Sequence, residues 1–441
     1  GFSLTGGVGN DTLIGGTGSD NFMGFVGVDS INGGGGAGVD TIILAVTSTS
    51  LNSAADAAIT AVEAVSAASA GAGVSISLTS QTEAFSLTGG IYNDVLTGGS
   101  AADVISAGAG DDTISGFVGA DTIDGGTGVN TLALTATSAT LNTALDTQLA
   151  NIGIVSAAGA GAAVSIVLTN QTEGFAIIGG SGADTLVGGT GSDYFLGFVG
   201  GESINGGAGT GVDSIVLTAT SNDLNAAGDT RIVQVEAISA LNASAGVTIT
   251  LTSQLEGFSI TGGASADSLT GGSGADSFMG FVGADTLVGG GGNDTVVLTA
   301  TSTALNSASD GQLSSIEAIN AFGALDRVLI DVHAQAEGFS ITGGGFADTI
   351  TGGAGGDSIN AGAGDDTITG FAGADAIDGG SGVNTLALTT SSGTLNAASD
   401  TQVANIGVIS AAGAGAGVSI VLTSQTEGFS IIGGAGADTL T

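Results

Sequence analysis

An all-β fold, a parallel β-roll or β-solenoid of 81–90-residue repeats, is what this sequence predicts, and three observations carry the prediction. The opening phrase "GFSLTGG" returns five times, a nine-residue period fills the stretch after each return, and every nonapeptide ends in a short alternation whose middle residue is apolar. The returns read "AFSLTGG", "GFAIIGG", "GFSITGG", "GFSITGG" and "GFSIIGG", which sets Phe2, Phe85, Phe175, Phe258, Phe339 and Phe429 at spacings of 83, 90, 83, 81 and 90. The repeats are therefore 1–84, 85–174, 175–257, 258–338 and 339–428, with 429–441 opening a sixth, and we expect one continuous solenoid.

The nine-residue period is clearest in "NDVLTGGSAADVISAGAGDDTISGFVGADTIDGGTGVN". Asp94, Asp103, Asp112, Asp121 and Asn130 stand nine apart, each followed two places on by Leu or Ile. From the last such position of one block to the first of the next (Asp40 to Asp94, Asn130 to Asp184, Asp213 to Asp267, Asp294 to Asp348, Asn384 to Asp438) the distance is always 54. The second and fifth repeats gain one whole nonapeptide, and the first and third a two-residue insertion before Asp40 and Asp213. Nine residues are thus a structural unit. In "GGTGSDNFM" the glycines allow a tight turn and the next residues form a strand that points Phe22 at a core. Two units make a coil of eighteen, which stacks Asp11 beneath Asp29 and Asp103 beneath Asp121.

Charge decides what such columns need. The chain holds 41 acidic residues against two arginines and no lysine, a formal charge of −39, with 84 Gly and neither Pro, Cys nor Trp. That balance repels nucleic acid and anionic membrane, and no apolar run is long enough to insert. With 42% apolar residues the chain can nevertheless bury a core. Carboxylates stacked about 4.8 Å apart repel one another, and two arginines cannot neutralise them. Hard divalent cations can, and carboxylate plus carbonyl oxygens on pliable loops suit Ca²⁺ better than Mg²⁺.

"GGTGSDNFM", "GGSGADSFM", "GGTGSDYFL" and "AGAGDDTIS" resemble the repeats-in-toxin (RTX) calcium-binding nonapeptide, G-G-x-G-x-D-x-U-x. The resemblance covers a little under half of the chain. It implies a parallel β-roll with calcium between turns, held by turn carbonyls and by Asp11, Asp20, Asp29, Asp40, Asp94, Asp103, Asp112, Asp121, Asp184, Asp193, Asp213, Asp267, Asp276, Asp285, Asp294, Asp348, Asp357, Asp366, Asp375 and Asp438. About a dozen ions would bring the charge to roughly −15. It also implies type I export, with folding deferred until the chain meets extracellular calcium.

Departures from the pattern bear on this reading. Each block contains "GFVGAD" or a relative, with Phe25, Phe117, Phe198, Phe281 or Phe371 where the second glycine belongs. A bulky residue disfavours positive φ, so these turns are expected to bind weakly or not at all. The rings either fold back as local packing or form an exposed contact row for a neighbouring molecule. Glu202 replaces Asp in the third block, and Asn130 and Asn384 end theirs uncharged. In the 54-residue connectors, Leu141, Leu145, Leu149 and Ile152 at spacings of four, four and three predict one short helix per repeat, capped by Ser138 or Thr140. Three times eighteen suggests about three coils per connector.

Enzyme chemistry finds no support. His333 is the one histidine, there is no thiol, and no glycine loop is followed by the lysine of a phosphate cradle. Glu83, Glu173, Glu256, Glu337 and Glu427 recur a full repeat apart, too far for a catalytic pair, and read as a solvated or calcium-linked ladder. A threonine face for binding ice lacks a regular pattern. We expect a calcium-dependent, extracellular structural protein that polymerises with copies of itself into a bacterial surface layer, sheath or fibre. The alternatives are the extender of a large RTX adhesin, or the secretion domain of an RTX toxin or enzyme. Lacking an initiator Met, the sequence reads as an interior piece of a longer chain.

Overall fold

The computed structural model describes residues 1–441 and contains 44 strands, nearly all of three residues. Strands are this short because each has one core position: in Val104–Ser106, Ile105 is buried while Val104 and Ser106 face outward. Consecutive strands lie on opposite sheets, and each pairs in parallel with the strand one coil away. Val104–Ser106 aligns with Thr122–Asp124 at an offset of eighteen, and Asn21–Met23 with Thr41–Ile43 at twenty, where the two-residue insertion intervenes. Like residues therefore stack. Leu96, Ile114 and Leu132 form one aliphatic ladder and Leu87, Ile105 and Ile123 its counterpart on the opposite sheet.

Two compact units are distinguished, residues 1–215 with 230–235, and residues 216–229 with 236–441. Each is built of the same parallel coils, as an RTX-like β-roll requires.

The connectors hold two and a half coils, not three. Between Asn130 and Asp184 lie only five strands, Thr131–Ala133, Leu149–Ala150, Ile154–Ser156, Ser165–Val167 and Ala176–Ile178. The remaining residues bulge out. The expected helix is shorter than its leucine spacing suggested. Repeats one, three and five have a single α-turn at Thr49–Asn52, Asn222–Asn225 and Gly393–Asn396, whereas repeats two and four have 3-10 turns at Leu141–Thr143 and Leu305–Ser307. Ala144 takes an extended ψ that breaks the run, so Leu141 and Leu149 are buried while Leu145 is 61% exposed.

The bulge substitutes for a missing strand neighbour. Asn52 donates from Nδ2 to the Ser75 carbonyl (3.0 Å) and accepts from the Ser77 amide (2.8 Å), mimicking a ladder bond. Asn142 does the same to Ser165 and Val167 on the opposite sheet. The switch follows from arithmetic in the strands. The first repeat has eight strands and the second, with one nonapeptide more, has nine, so that extra unit turns the next bulge to the other face.

Candidate metal centre

Eighteen of the twenty aspartates singled out from the sequence are buried, and Asp11 and Asp438 are half-buried. Their carboxylates are fastened to backbone. One oxygen reaches the neighbouring coil: the Phe85 amide donates to Asp103 Oδ1 (2.8 Å), and the Asp103 amide donates in turn to Asp121 Oδ1 (2.8 Å). The second oxygen commonly closes its own turn, as where the Gly99 amide donates to Asp103 Oδ2 (2.6 Å) and the Gly189 amide to Asp193 Oδ2 (2.7 Å). Stacked carboxylates thus tie coil to coil through main-chain donors, a role the sequence reading did not foresee.

The phenylalanine turns form a class of their own. Phe25, Phe117, Phe198, Phe281 and Phe371 are all buried, none more than 6% exposed, which overturns the reading of an exposed contact row. A ring in the turn is accommodated because the two flanking glycines carry the positive φ instead, Gly116 at +74° and Gly119 at +77°. The backbone carbonyl of the phenylalanine is also taken. Ser138 Oγ donates to the Phe117 carbonyl (2.7 Å) and accepts from the Leu141 amide (3.1 Å), and Ser48 joins Phe25 to Leu51 in the same way. These turns seat the connector bulge.

Elsewhere, carbonyl and carboxylate oxygens converge. A side-chain carbon placed on Gly188 would collide with both Asp193 Oδ2 and the Gly206 carbonyl oxygen of the next coil, and Gly271 is crowded likewise by Asp276 Oδ2 and the Gly289 carbonyl. Beneath phenylalanine turns the carbonyl stands further off, 3.6 Å for Gly116 seen from Gly98 and 3.4 Å for Gly370 seen from Gly352. Asp112, Asp294 and Asp366 leave Oδ2 buried with no hydrogen-bond partner. A buried, unpartnered carboxylate oxygen is costly unless a cation or a proton meets it. No three acidic side chains converge, so any cation must draw on main-chain carbonyls as well. That mixed, hard-oxygen donor set fits calcium.

Burial pushes the carboxyls of Asp103, Asp112, Asp193, Asp276, Asp285, Asp357, Asp366 and Asp375 above the usual range, against the opposing pull of their backbone hydrogen bonds. Asp121 and Asp294 are raised to about 6, for the same reason first and by neighbouring carboxylates second.

Against this geometry stands a family match. The RTX calcium-binding nonapeptide repeat matches residues 5–42, 86–114, 97–132, 178–212, 261–296, 340–368 and 351–386, at least once in every block. These blocks are RTX calcium-binding nonapeptide repeats. A search of curated proteins finds no match to the chain. The RTX assignment makes calcium binding a property of the blocks, and the matched segments hold most of the buried aspartates.

Of the other residues singled out from the sequence, the recurring glutamates and His333 lie apart from the RTX turns, whereas Arg231 packs on one. Glu83, Glu173, Glu256, Glu337 and Glu427 are exposed. His333 is exposed beside Asp331 (Nδ1 to Oδ1, 2.7 Å). Arg231 donates to the Glu202 carbonyl and stacks over Phe198, 5.3 Å from the ring centroid. The sequence reading passed over a glutamine in each connector, buried at Gln81, Gln171, Gln254 and Gln335 and half-buried at Gln425. Gln81, Gln171, Gln254, Gln335 and Gln425 donate Nε2 to the carbonyls of Ala54, Ala144, Ala227, Ala308 and Ala398. The recurring Q before each Glu was the available signal.

Proposed function

We propose that this chain is a calcium-dependent structural protein of the bacterial cell exterior, which binds about a dozen ions through its RTX turns and then associates side by side with copies of itself into a layer, sheath or fibre. The observation that carries this reading is the segregation of charge. Of 44 strands only three contain a charged residue, at Asp124, Asp331 and Asp378, although the chain as a whole carries 41 acids. The sheet faces present Ser, Thr, Ala and scattered apolar side chains such as Val104 and Tyr194, 55% and 49% exposed. Uncharged faces can approach one another once calcium has quenched the repulsion between turns.

Low cytosolic calcium would keep the chain extended for type I export, and extracellular calcium would fold it by mass action. No helix is long and apolar enough to cross a membrane.

The test is calcium-induced association of the full chain, followed by light scattering and negative-stain imaging, beside a variant with Val95→Glu and Val104→Glu on two faces. We expect ordered assemblies from the parent chain, and folded single particles from the variant. Parent chains that fold with calcium yet stay single at every concentration would instead favour an extender role.

A further inference from the structure

The blocks end in two ways, and a position 23 residues further on changes in step. Asp40, Asp213 and Asp294 are followed by Glu63, Glu236 and Glu317, whereas Asn130 and Asn384 are followed by Gly153 and Gly407. The structure supplies the reason for the neutral pair. Asn151 and Asn405 adopt φ of +57° and +54°, which turns their carbonyls inward, and Asn130 and Asn384 donate Nδ2 to those oxygens at 3.0 Å. Donor meets acceptor, and nothing more is required.

At the charged ends the carbonyl is still there but the donor is not. Ser315 (φ +51°) and Ala61 (φ +49°) turn their carbonyls inward in the same way. A side-chain carbon on Gly289 would collide with both the Ser315 oxygen and Asp294 Oδ2, and one on Gly33 with both the Ala61 oxygen and Asp40 Oδ2. Two acceptors therefore face each other where the sister repeats have an amide. Asp294 is fully buried, and its Oδ2 has no partner. A second carboxylate stands at the mouth: Glu317 Oε2 accepts from the Asp294 amide (2.7 Å), and Glu63 Oε2 from that of Asp40 (2.8 Å), with both glutamates exposed.

We propose that the block ends at Asp40 and Asp294 are calcium sites of a second kind, in which the last carboxylate of the block, the inward carbonyl of Ala61 or Ser315, and Glu63 or Glu317 hold one ion at the junction with the connector. Two carboxylates and a carbonyl, open to water on one side, form a hard and irregular ligand set that calcium accepts more readily than magnesium. The glutamate and the inward carbonyl come from the connector, so the nonapeptide alone does not make this site. Asn130 and Asn384 close their blocks without metal. The inference rests on the calcium reading of the RTX turns, and adds to it which junctions depend on the ion.

The test counts calcium per folded full-length chain by equilibrium dialysis and atomic emission. The variant Asp40→Asn, Glu63→Gly, Asp294→Asn, Glu317→Gly installs the pairs the chain already uses at its other junctions, and should bind two ions fewer. The reverse variant, Asn130→Asp, Gly153→Glu, Asn384→Asp, Gly407→Glu, should bind two more. Side chains fit there, since a carbon on Gly153 meets nothing nearer than Val129 at 4.0 Å and one on Gly407 nothing nearer than Val383 at 3.7 Å. Should either variant misfold, Glu317→Gln keeps an oxygen for the Asp294 amide on an exposed side chain and should lose or weaken one ion. Unchanged counts in the folded variants overturn the junction sites, and would leave a proton as what Asp294 carries. A parent chain that binds no calcium at all would overturn the broader reading instead.

Discussion

Replacing Asp103 by Ala isolates what one turn carboxylate does. The side chain accepts from the Phe85 amide of the coil before (2.8 Å) and from the Gly99 amide of its own turn (2.6 Å), and the residue is 1% exposed. Alanine leaves two buried N–H groups without an acceptor, at about 1–3 kcal/mol each, so about 2–6 kcal/mol for the pair. One term opposes this. Burial raises the Asp103 carboxyl, so removing it relieves the cost of a desolvated charge when no cation is near. Calcium cancels that relief, and a lost site forfeits a further ~2.7 kcal/mol at a hundredfold excess of ion over its dissociation constant. Hydrogen exchange at single amides is the suitable assay, because coils open locally and a global unfolding energy is ill-defined for a long repeat array. In calcium, the Phe85 and Gly99 amides of Asp103→Ala should exchange at least about thirtyfold faster than in the parent chain, the lower end of that energy range. The Phe339 amide, held by Asp357 in another repeat (2.8 Å), serves as the internal reference and should not change. In chelator the difference should shrink. Unaltered protection of Phe85 and Gly99 in calcium would refute the idea that these carboxylates tie coil to coil.

Other perturbations separate the remaining roles. Phe117→Ala should destabilise its coils by about 3–5 kcal/mol, as a buried ring does, yet leave calcium-induced association intact where the chain stays folded; a folded variant that no longer scatters light would restore the contact-row reading. Ser138→Ala should cost about 0.5–2 kcal/mol and speed proteolysis within residues 138–148, since it removes the cap on Leu141 and one donor to the Phe117 carbonyl; equal cleavage rates would deny the bulge its anchor. For pH the sign runs opposite to ordinary acid denaturation. Asp121 and Asp294 hold their protons up to about 6, above the unfolded value of about 3.9, so the native state binds more protons between those limits and is favoured as pH falls through 6. Calcium-free chain should therefore gain β-structure between pH 7 and 4.5 by circular dichroism, and a loss over that interval would contradict the burial argument.

The fold was legible because nine-residue spacing and eighteen-residue stacking are fixed by strand geometry, which one-dimensional periodicity reports directly. Asp103 beneath Asp121 and the ladder of Leu96, Ile114 and Leu132 could be placed from numbers alone. The connectors were not so readable. Leu141, Leu145 and Leu149 keep helical spacing, but Ala144 breaks the turn, and Asn142 is spent on strand Ser165–Val167 rather than on helix solvation. The phenylalanine turns misled for a related reason. Sequence gives the bulk of Phe117 but not that Gly116 and Gly119 on either side absorb the backbone requirement, which lets the ring fall inward. At the metal centre the aspartates were evident, while their division by the fate of the second oxygen depends on hydrogen bonds that no spacing reveals. Asp103 and Asp112 are nine residues apart in the same block, and only the latter has Oδ2 unpartnered.

The most direct test of the account is the far-UV circular dichroism of the full chain in excess chelator, then in rising calcium. The buried and unneutralised carboxylates predict a largely unfolded spectrum without the ion and a cooperative gain of β-structure as calcium is added. A β-spectrum already complete in chelator, and indifferent to added calcium, would contradict the claim that calcium holds these coils together.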